Sequence, residues 1–169
     1  MLNIKNQTDK ILKEKSISYY ELSKLTGYDV SYLNNIFKGK RPFSKELLKK
    51  LLPILEISKE EFESWIITDK YPKEIIERAI RIKKEFPYKR KSVLTVKIDK
   101  ILEEKDMSRT ALAKQINYSQ SGLNRMITGK INISKPVLEK VSKALDISQE
   151  EISSWILADK HSLQVLEMA

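Results

Sequence analysis

The segment SQSGLNRMITGKIN, residues 119–132, combines hydrogen-bonding side chains with an apolar stripe. At about 100° per residue, its polar and apolar side chains fall on opposite arcs. The polar arc holds Gln120, Ser121, Asn124 and Arg125, and the apolar arc holds Leu123, Met126 and Ile127. Gly129 follows, where a left-handed residue closes many helices. We therefore predict a short helix that buries one side and exposes side chains suited to recognising hydrogen-bond patterns.

The same arrangement occurs earlier in the chain, because the sequence contains an internal duplication. DKILKEKSIS at Asp9 returns as DKILEEKDMS at Asp99, and ISKEEFESWIITDK at Ile57 returns as ISQEEISSWILADK at Ile147. Residues 9–79 align without a gap with residues 99–169, at a constant offset of 90, and about 31 of the 71 pairs are identical. The counterpart of SQSGLNRMITGKIN is DVSYLNNIFKGKRP. We expect two copies of one fold.

Each copy divides into five short helices whose starts are marked by capping residues. The predicted N-caps are Ser18, Asp29, Ser44 and Ser58 in the first copy, and Ser108, Ser119, Ser134 and Ser148 in the second. Glu61 and Glu151 lie three residues after Ser58 and Ser148, which predicts a capping box in both copies. No segment alternates with a period of two, so we expect an all-α protein.

The copies are joined by PKEIIERAIRIKKEF, a segment with an apolar stripe that predicts a connector helix. Asp69 and Asp159 are the predicted N-caps of this sixth helix in the two copies. A basic cluster belongs to the join: Lys83, Lys84, Lys89, Arg90 and Lys91. It either follows a phosphate backbone or forms a solvated linker. The expected organisation is a first domain at 1–71, a connector helix and basic linker at 72–92, and a second domain at 93–169.

The composition fits a helical chain with a polyanionic partner. Apolar residues make up 41% and charged residues 33%, with 4 Gly and 5 Pro, which indicates a packed core with tight connections. The net charge of +9 favours a polyanion, because neutralised phosphates release counterions; solubility is the plainer explanation. With no Cys and one His, disulfides and Cys or His metal clusters are not expected. No apolar run is long enough to cross a membrane, and no signal-peptide core is present, so we expect a cytoplasmic protein.

In each copy, a second helix, a tight turn and a third helix with an open polar arc make up a helix-turn-helix. SYYELSKLTGYDVSYLNNIFKGKR, residues 18–41, and SRTALAKQINYSQSGLNRMITGKI, residues 108–131, resemble the phage-repressor and Cro type, the lambda-repressor-like family. The resemblance continues through the fourth and fifth helices, so it covers nearly all of each copy. It implies two tandem five-helix helix-turn-helix domains joined by a connector helix.

Individual residue types suit this fold. Ala113 and Ser23 are small where the two helices must approach closely, and Gly27 and Asn117 occupy a turn position that favours positive φ. Apolar side chains at matching positions should hold the helices together: Leu22 and Leu112, Leu33 and Leu123, Ile36 and Met126. Many family members carry Glu at the position of Phe37 and Ile127; an apolar residue there should pack without altering binding.

The resemblance implies that the third helix of each copy enters the DNA major groove. In the second copy the implied DNA-binding residues are Arg109, Gln120, Ser121, Asn124, Arg125 and Lys130. In the first copy they are Tyr19, Val30, Ser31, Asn34, Asn35, Lys38, Lys40 and Arg41. Gln and Asn can pair with adenine and Arg with guanine, whereas Val contacts only a thymine methyl group. The first copy therefore has fewer hydrogen-bonding side chains for base recognition but more nearby charge.

These implications lead us to expect a sequence-specific double-stranded DNA-binding transcription regulator of a bacterium or phage, most simply a repressor that occludes a promoter. The tandem either imitates a two-fold pair, with third helices about 34 Å apart, or binds direct repeats. The alternative function is a protein-interaction module, an antirepressor or adaptor. Val30 and Tyr32 make the first copy the better candidate for that role.

Other function classes have little support in the sequence. There is no nucleophile–His pair, phosphate-cradling Gly loop or metal cluster, so we expect no catalytic residue, metal, cofactor or small-molecule ligand. Trp65 and Trp155 have the helical spacing of core anchors. The expected partner is double-stranded DNA on the nucleoid, with a homodimer as an open alternative and no membrane.

Overall fold

The structure is a computed structural model that describes residues 3–86 and 91–169. It contains two compact units, Met1–Tyr71 together with Met168–Ala169, and Pro72–Glu167. Every regular element in the described ranges is an α-helix. This confirms the all-α fold predicted from the absence of two-residue alternation.

The first unit contains the five helices predicted for the first copy. They are α1 (Asn3–Glu14), α2 (Tyr19–Thr26), α3 (Val30–Phe37), α4 (Lys45–Leu55) and α5 (Lys59–Lys70). The four predicted N-caps are confirmed, because Ser18, Asp29, Ser44 and Ser58 each accept a hydrogen bond from a backbone N–H of the following turn. These caps satisfy donors that the helix itself leaves unpaired.

The second unit contains the connector helix and the helices of the second copy. They are α6 (Lys73–Glu85), α7 (Val93–Glu104), α8 (Arg109–Gln115), α9 (Gln120–Ile127), α10 (Lys135–Leu145), α11 (Gln149–Lys160) and α12 (Leu163–Met168). The predicted N-caps Ser108, Ser119, Ser134 and Ser148 again occupy the cap positions. The five-helix pattern is therefore confirmed in both copies.

A complete capping box forms at Ser18, a position for which we predicted only a cap. The Glu21 N–H donates to Ser18 Oγ at 3.2 Å, and the Ser18 N–H donates to Glu21 Oε2 at 2.7 Å. Hydrogen bonds from the Ser18 backbone and side chain hold the pKa of the Glu21 carboxyl below its usual value. At Ser58 and Ser148 only the hydroxyl half of the predicted box is present in the described structure.

Asp69 and Asp159 do not cap the sixth helix, so that prediction was wrong. Both lie inside a fifth helix, and the N-cap position of α6 is Pro72, whose side chain makes no cap hydrogen bond. Asp69 instead accepts hydrogen bonds from the backbone N–H groups of Asn3 and, at 3.0 Å, Ile4, at the start of α1. The first helix of the fold needs an acceptor for its free N–H groups, and folding brings the Asp of the fifth helix to it.

The connector helix α6 belongs to the second unit, where its apolar stripe packs against α11. Four of its side chains are buried: Ile75, Ile76, Ala79 and Ile82. Lys83 Nζ donates to the Ala158 carbonyl at 2.9 Å, and Lys84 pairs with Glu167 at 2.8 Å. Of the predicted basic cluster, Lys89 and Arg90 lie outside the described residues. The two lysines at the end of α6 are therefore engaged within the second unit.

The two cores use different side chains for the same packing positions. In the first unit a series of ring contacts runs from Tyr19 through Phe37, Phe43 and Phe62 to Trp65. The second copy has Ile127, Ile133 and Ile152 in place of the three Phe residues. Trp65 and Trp155 are both buried, as predicted for core anchors. Phe37 and Ile127 are also buried, which confirms that they pack.

Candidate nucleic-acid interface

The second unit forms a helix-turn-helix from α8, a short turn and α9. Ser108 begins α8 by accepting the Ala111 N–H at 3.0 Å, and Ser119 begins α9 by accepting the Gly122 N–H at 3.2 Å. Asn117 lies in the turn with φ of 50°, and Gly27 has φ of 73° at the matching place in the first unit. The predicted left-handed turn position is thus confirmed in both copies.

Helix α9 has one buried side and one exposed side, as its sequence predicts. Leu123, Met126 and Ile127 are buried against the rest of the unit. On the other side Gln120, Ser121 and Arg125 are exposed, and Asn124 is half-buried. Gly129 has φ of 74°, and its N–H donates to the Met126 carbonyl at 3.0 Å, so the predicted left-handed residue after the helix is present. Side chains with both donors and acceptors therefore face solvent from a rigidly packed helix.

Arg109 is half-buried and is bound to two other side chains of the unit. Its Nε and Nη2 donate to the two carboxylate oxygens of Asp99, each at 2.7 Å. Its Nη1 donates to Asn124 Oδ1 at 3.3 Å. The sequence placed Arg109 at a phosphate or base edge and assigned no role to Asp99. A signal was available, because Asp9 and Asp99 are identical and each lies ten residues before Tyr19 or Arg109.

The first unit builds the corresponding site with Tyr19 in place of Arg109. The Tyr19 hydroxyl donates to Asp9 Oδ1 at 2.6 Å, and Asp9 also pairs with Lys5. Burial and the neighbouring carboxylate raise the pKa of the Tyr19 hydroxyl well above its usual value. Burial opposes ionisation of Asp9, but the hydrogen bonds from Lys5 and Tyr19 outweigh it and lower the pKa of the Asp9 carboxyl. Tyr19 is therefore a half-buried ring whose hydroxyl is anchored within the unit.

The remaining predicted residues of the first unit lie on or just after α3. Ser31 is exposed, whereas Val30, Asn34 and Asn35 are half-buried. The three basic residues Lys38, Lys40 and Arg41 are exposed in the segment between α3 and α4. Lys130 is exposed at the place matching Lys40. The structure thus keeps the predicted basic residues accessible, and those of the first unit lie beyond the end of α3.

The beginning of α3 differs chemically from the beginning of α9. Its cap is Asp29, a carboxylate that accepts the Ser31 N–H at 2.7 Å, whereas α9 begins with the neutral Ser119. Tyr28 and Tyr32 stack with 5.2 Å between ring centroids, and Lys50 and Arg41 lie over these rings. An acidic cap thus stands where the second unit has the hydroxyl of Ser119, and the aromatic pair stands where the second copy has Tyr118 and Gly122.

The exposed side of α2 is also more apolar than that of α8. Tyr20 is 63% exposed and Leu25 is 59% exposed. The second copy has Thr110 and Gln115 at these two places. The sequence prediction missed this surface, although the difference between the copies is visible in the alignment of the duplication.

The comparisons with known families agree with this geometry. Residues 10–62 match a family model described as helix-turn-helix, and residues 97–158 match the model of the Cro/C1-type HTH DNA-binding domain. No match was found among curated proteins or among solved structures. The chain therefore contains two tandem domains of the Cro/C1-type helix-turn-helix family, the family that its sequence resembles.

Membership of this family sets the broad function of the chain. Cro/C1-type domains bind double-stranded DNA and support a DNA-binding transcription regulator, and they are typical of regulators without enzymatic activity. Within the described ranges, none of the helices has both the length and the apolar character that crossing a bilayer requires.

Proposed function

We propose that the chain is a sequence-specific repressor whose second domain recognises bases through α9. The observation that supports this most directly is the exposed set Gln120, Ser121 and Arg125 on a helix whose opposite side is buried. An α-helix fits the major groove, where Gln can pair with adenine and Arg with guanine. Lys130, exposed just after the helix, is our proposed phosphate contact in this domain.

In the same proposal the first domain contributes mainly through the DNA backbone. Lys38, Lys40 and Arg41 are exposed and supply positive charge, whereas Val30 offers no hydrogen bond to a base edge. Ser31, Asn34 and Asn35 remain the proposed base contacts of α3, whereas the hydroxyl of Tyr19 is bound to Asp9 within the unit. Contacts to phosphate carry no sequence information but add affinity that depends on salt. The two domains therefore differ in role, and a tandem of this kind suits a site with unequal halves.

Selection of bound duplexes from a random pool, followed by mobility-shift titration across salt, tests this function. We expect one enriched motif and a log–log salt slope of about −0.9 for each phosphate contacted. A footprint that overlaps a promoter, with reduced transcription from it in vitro, tests repression. Failure to enrich any motif, together with binding that does not depend on salt, would contradict the proposal.

The exposed apolar surface of α2 favours one other function, a protein-interaction module of the antirepressor or adaptor type. Tyr20 and Leu25 expose more apolar surface than their counterparts Thr110 and Gln115. Replacing them with those counterparts, Tyr20→Thr and Leu25→Gln, gives a matched variant. If the first domain acts by capturing a protein, this variant loses regulation in cells while its affinity for the selected duplex stays unchanged. Regulation that survives the double substitution removes this alternative.

The proposal places the protein in the cytoplasm, on the nucleoid. It requires no second copy, because one chain already carries two helix-turn-helix domains. Analytical ultracentrifugation of the free chain and of its complex with the selected duplex tests the homodimer. One chain per duplex supports the tandem mechanism, and two chains per duplex support a dimer of tandems.

A further inference from the structure

We propose that Arg109 and Asp99 are positioning residues that fix the side-chain amide of Asn124, and so determine which kind of base edge Asn124 can contact. This inference rests on the proposed function, because it assigns a specificity role within the same recognition surface. It replaces a direct contact of Arg109 with DNA by an indirect one through α9. Three hydrogen bonds within the second unit carry it.

The guanidinium of Arg109 is held in one orientation. Two parallel hydrogen bonds of 2.7 Å join Nε and Nη2 to the Asp99 carboxylate, which fixes both the position and the plane of the group. Asp99 also neutralises the charge of Arg109, so the pair adds little net attraction to phosphate. The remaining donor edge, at Nη1, points to Asn124. The arrangement suits an internal support better than a phosphate contact.

The bond to Asn124 fixes which end of its amide faces outward. Arg109 carries only donors, so the Asn124 atom that faces it must be the carbonyl oxygen Oδ1. Turning the amide by 180° would place its NH2 group against the guanidinium and remove the hydrogen bond. The Nδ2 donors of Asn124 are therefore left for the groove, while Oδ1 is already engaged at 3.3 Å.

This orientation has a consequence for base recognition. In the major groove, guanine offers N7 and O6 as acceptors, adenine offers N7 and thymine offers O4, whereas cytosine offers the N4 donor. A fixed NH2 group selects an acceptor edge and disfavours cytosine at the contacted position. An amide free to turn could instead pair with either a donor or an acceptor on the base edge. The Asp99–Arg109 pair thus turns an adaptable side chain into a directional one.

The first unit provides an internal comparison. Asn34 occupies the place of Asn124, and Asp9 occupies the place of Asp99. Tyr19 replaces Arg109, and its hydroxyl donates to Asp9 at 2.6 Å. Tyr19 offers a single O–H donor, and Asp9 accepts it. Asn34 is therefore not fixed by this residue, so the same amide serves as a control in the same chain.

The test uses the full chain and a net-charge-neutral double variant, Asp99→Asn with Arg109→Met. Removing both charges avoids leaving an unpaired carboxylate beside DNA. Tyr19→Phe is the matched control, because it removes the corresponding bond to Asp9. Binding of each protein is measured on the selected duplex and on all single base-pair changes of it, at several salt concentrations.

We expect the double variant to lose discrimination at one base pair, the one contacted by Asn124, by about 5- to 150-fold. Its salt slope should match that of the wild type, and Asn124→Ala should affect the same base pair. Tyr19→Phe should leave every base preference unchanged. If Arg109 instead contacts phosphate, the double variant loses about 0.9 of salt slope with base discrimination intact, and this result overturns the proposal.

A measurement without DNA separates this proposal from the proposed function. In the free protein, the heteronuclear NOE of the Asn124 Nδ2 group should be high and should fall in the double variant, with no change at Asn34. A chain that selects a duplex but whose Asn124 amide is mobile in the wild type overturns the positioning role alone. A chain with a restrained Asn124 amide that selects no duplex overturns the proposed function, and with it the assignment of this support to base recognition.

Discussion

The carboxylate of Asp159, near the end of α11, accepts a hydrogen bond from the backbone N–H of Val93, the first residue of α7, at 2.8 Å. The N–H of Leu94 donates to the other oxygen at 2.9 Å. Asp69 makes the same pair of contacts to Asn3 and Ile4 in the first unit. A side chain 66 residues away in sequence therefore caps the first helix of the fold. The contact holds the start of this helix against the fifth helix of the same copy.

Asp159→Ala should destabilise the second unit by about 1–2 kcal/mol, because two N–H groups of α7 lose their acceptor. Asp159→Asn keeps an acceptor oxygen and should cost less. The chain has two Trp residues, one in each repeat, so a Trp65→Phe background leaves Trp155 to report unfolding of the second unit in urea. Equal stability of the Ala variant and the parent, with unchanged amide exchange at Val93, would show that the contact does not stabilise the fold.

Thr8→Val should stabilise the first unit by about 1 kcal/mol. Thr8 is fully buried in α1, and its hydroxyl has no hydrogen-bond partner among the described residues. A buried hydroxyl without a partner costs about 1–3 kcal/mol, and valine has nearly the same shape. The second copy already has Ile98 at this place, fully buried, so Ile98→Thr is the reciprocal control and should destabilise the second unit. Urea titrations measure both changes. Trp65 reports the first unit in a Trp155→Phe background, and Trp155 reports the second unit in a Trp65→Phe background.

The sequence was sufficient for the local features of the fold, because these depend on near neighbours. Caps such as Ser108 and Ser119, the left-handed residues Gly27 and Asn117, and the buried stripe of α9 were predicted from spacing and residue type alone. The roles of Asp69 and Asp159 were not, because their partners lie in a distant part of the chain. Their position shortly before the sixth helix suggested that they cap that helix. In the folded chain they bind the start of the first helix instead.

The candidate site shows the same division between local and long-range information. The exposure of Gln120, Ser121 and Arg125 follows from helical periodicity, and the structure confirms it. The engagement of Arg109 does not, because its acceptor Asp99 lies on another helix. From the sequence alone, a charged residue at a helix start is expected to lie in solvent. Only the tertiary structure shows that a carboxylate from another helix lies beside it.

Asp9→Asn should reduce the acid sensitivity of the first unit. Folding lowers the pKa of the Asp9 carboxyl, so the folded chain binds fewer protons than the unfolded chain near pH 4. The stability that Asp9 contributes is therefore present above the unfolded pKa and is lost as the pH falls through the folded pKa. Urea midpoints from about pH 6 to 2, followed by Trp65 in a Trp155→Phe background, should show a flatter acid limb in the variant. Glu14→Gln, an exposed change on the same helix, is the control, and an identical acid limb in all three proteins would contradict this role.

Ala79→Glu should destabilise the second unit by about 3 kcal/mol or more. Ala79 is fully buried on the side of α6 that packs against α11, and a carboxylate there loses its water without gaining a partner of opposite charge. Arg81→Ala changes an exposed residue of the same helix and should have little effect. Hydrogen exchange of the α11 amides measures the change directly. Unchanged protection in α11 would show that α6 does not contribute to the stability of this unit.

Exchange of residues between α9 and α3 should show which of the two helices specifies the base sequence. Gln120→Val and Arg125→Asn give α9 the residues found at these places in α3, and each should cost about 1–3 kcal/mol on the selected duplex, at particular base pairs. Lys130→Ala should instead weaken binding to all duplexes alike and reduce the salt slope by about one. The reciprocal change Val30→Gln adds a base-reading side chain to α3, so it should create a preference that the parent lacks. Competition assays with a panel of single base-pair variants measure all four. A uniform loss for Gln120→Val, with no change in base preference, would mean that α9 does not recognise bases through this residue.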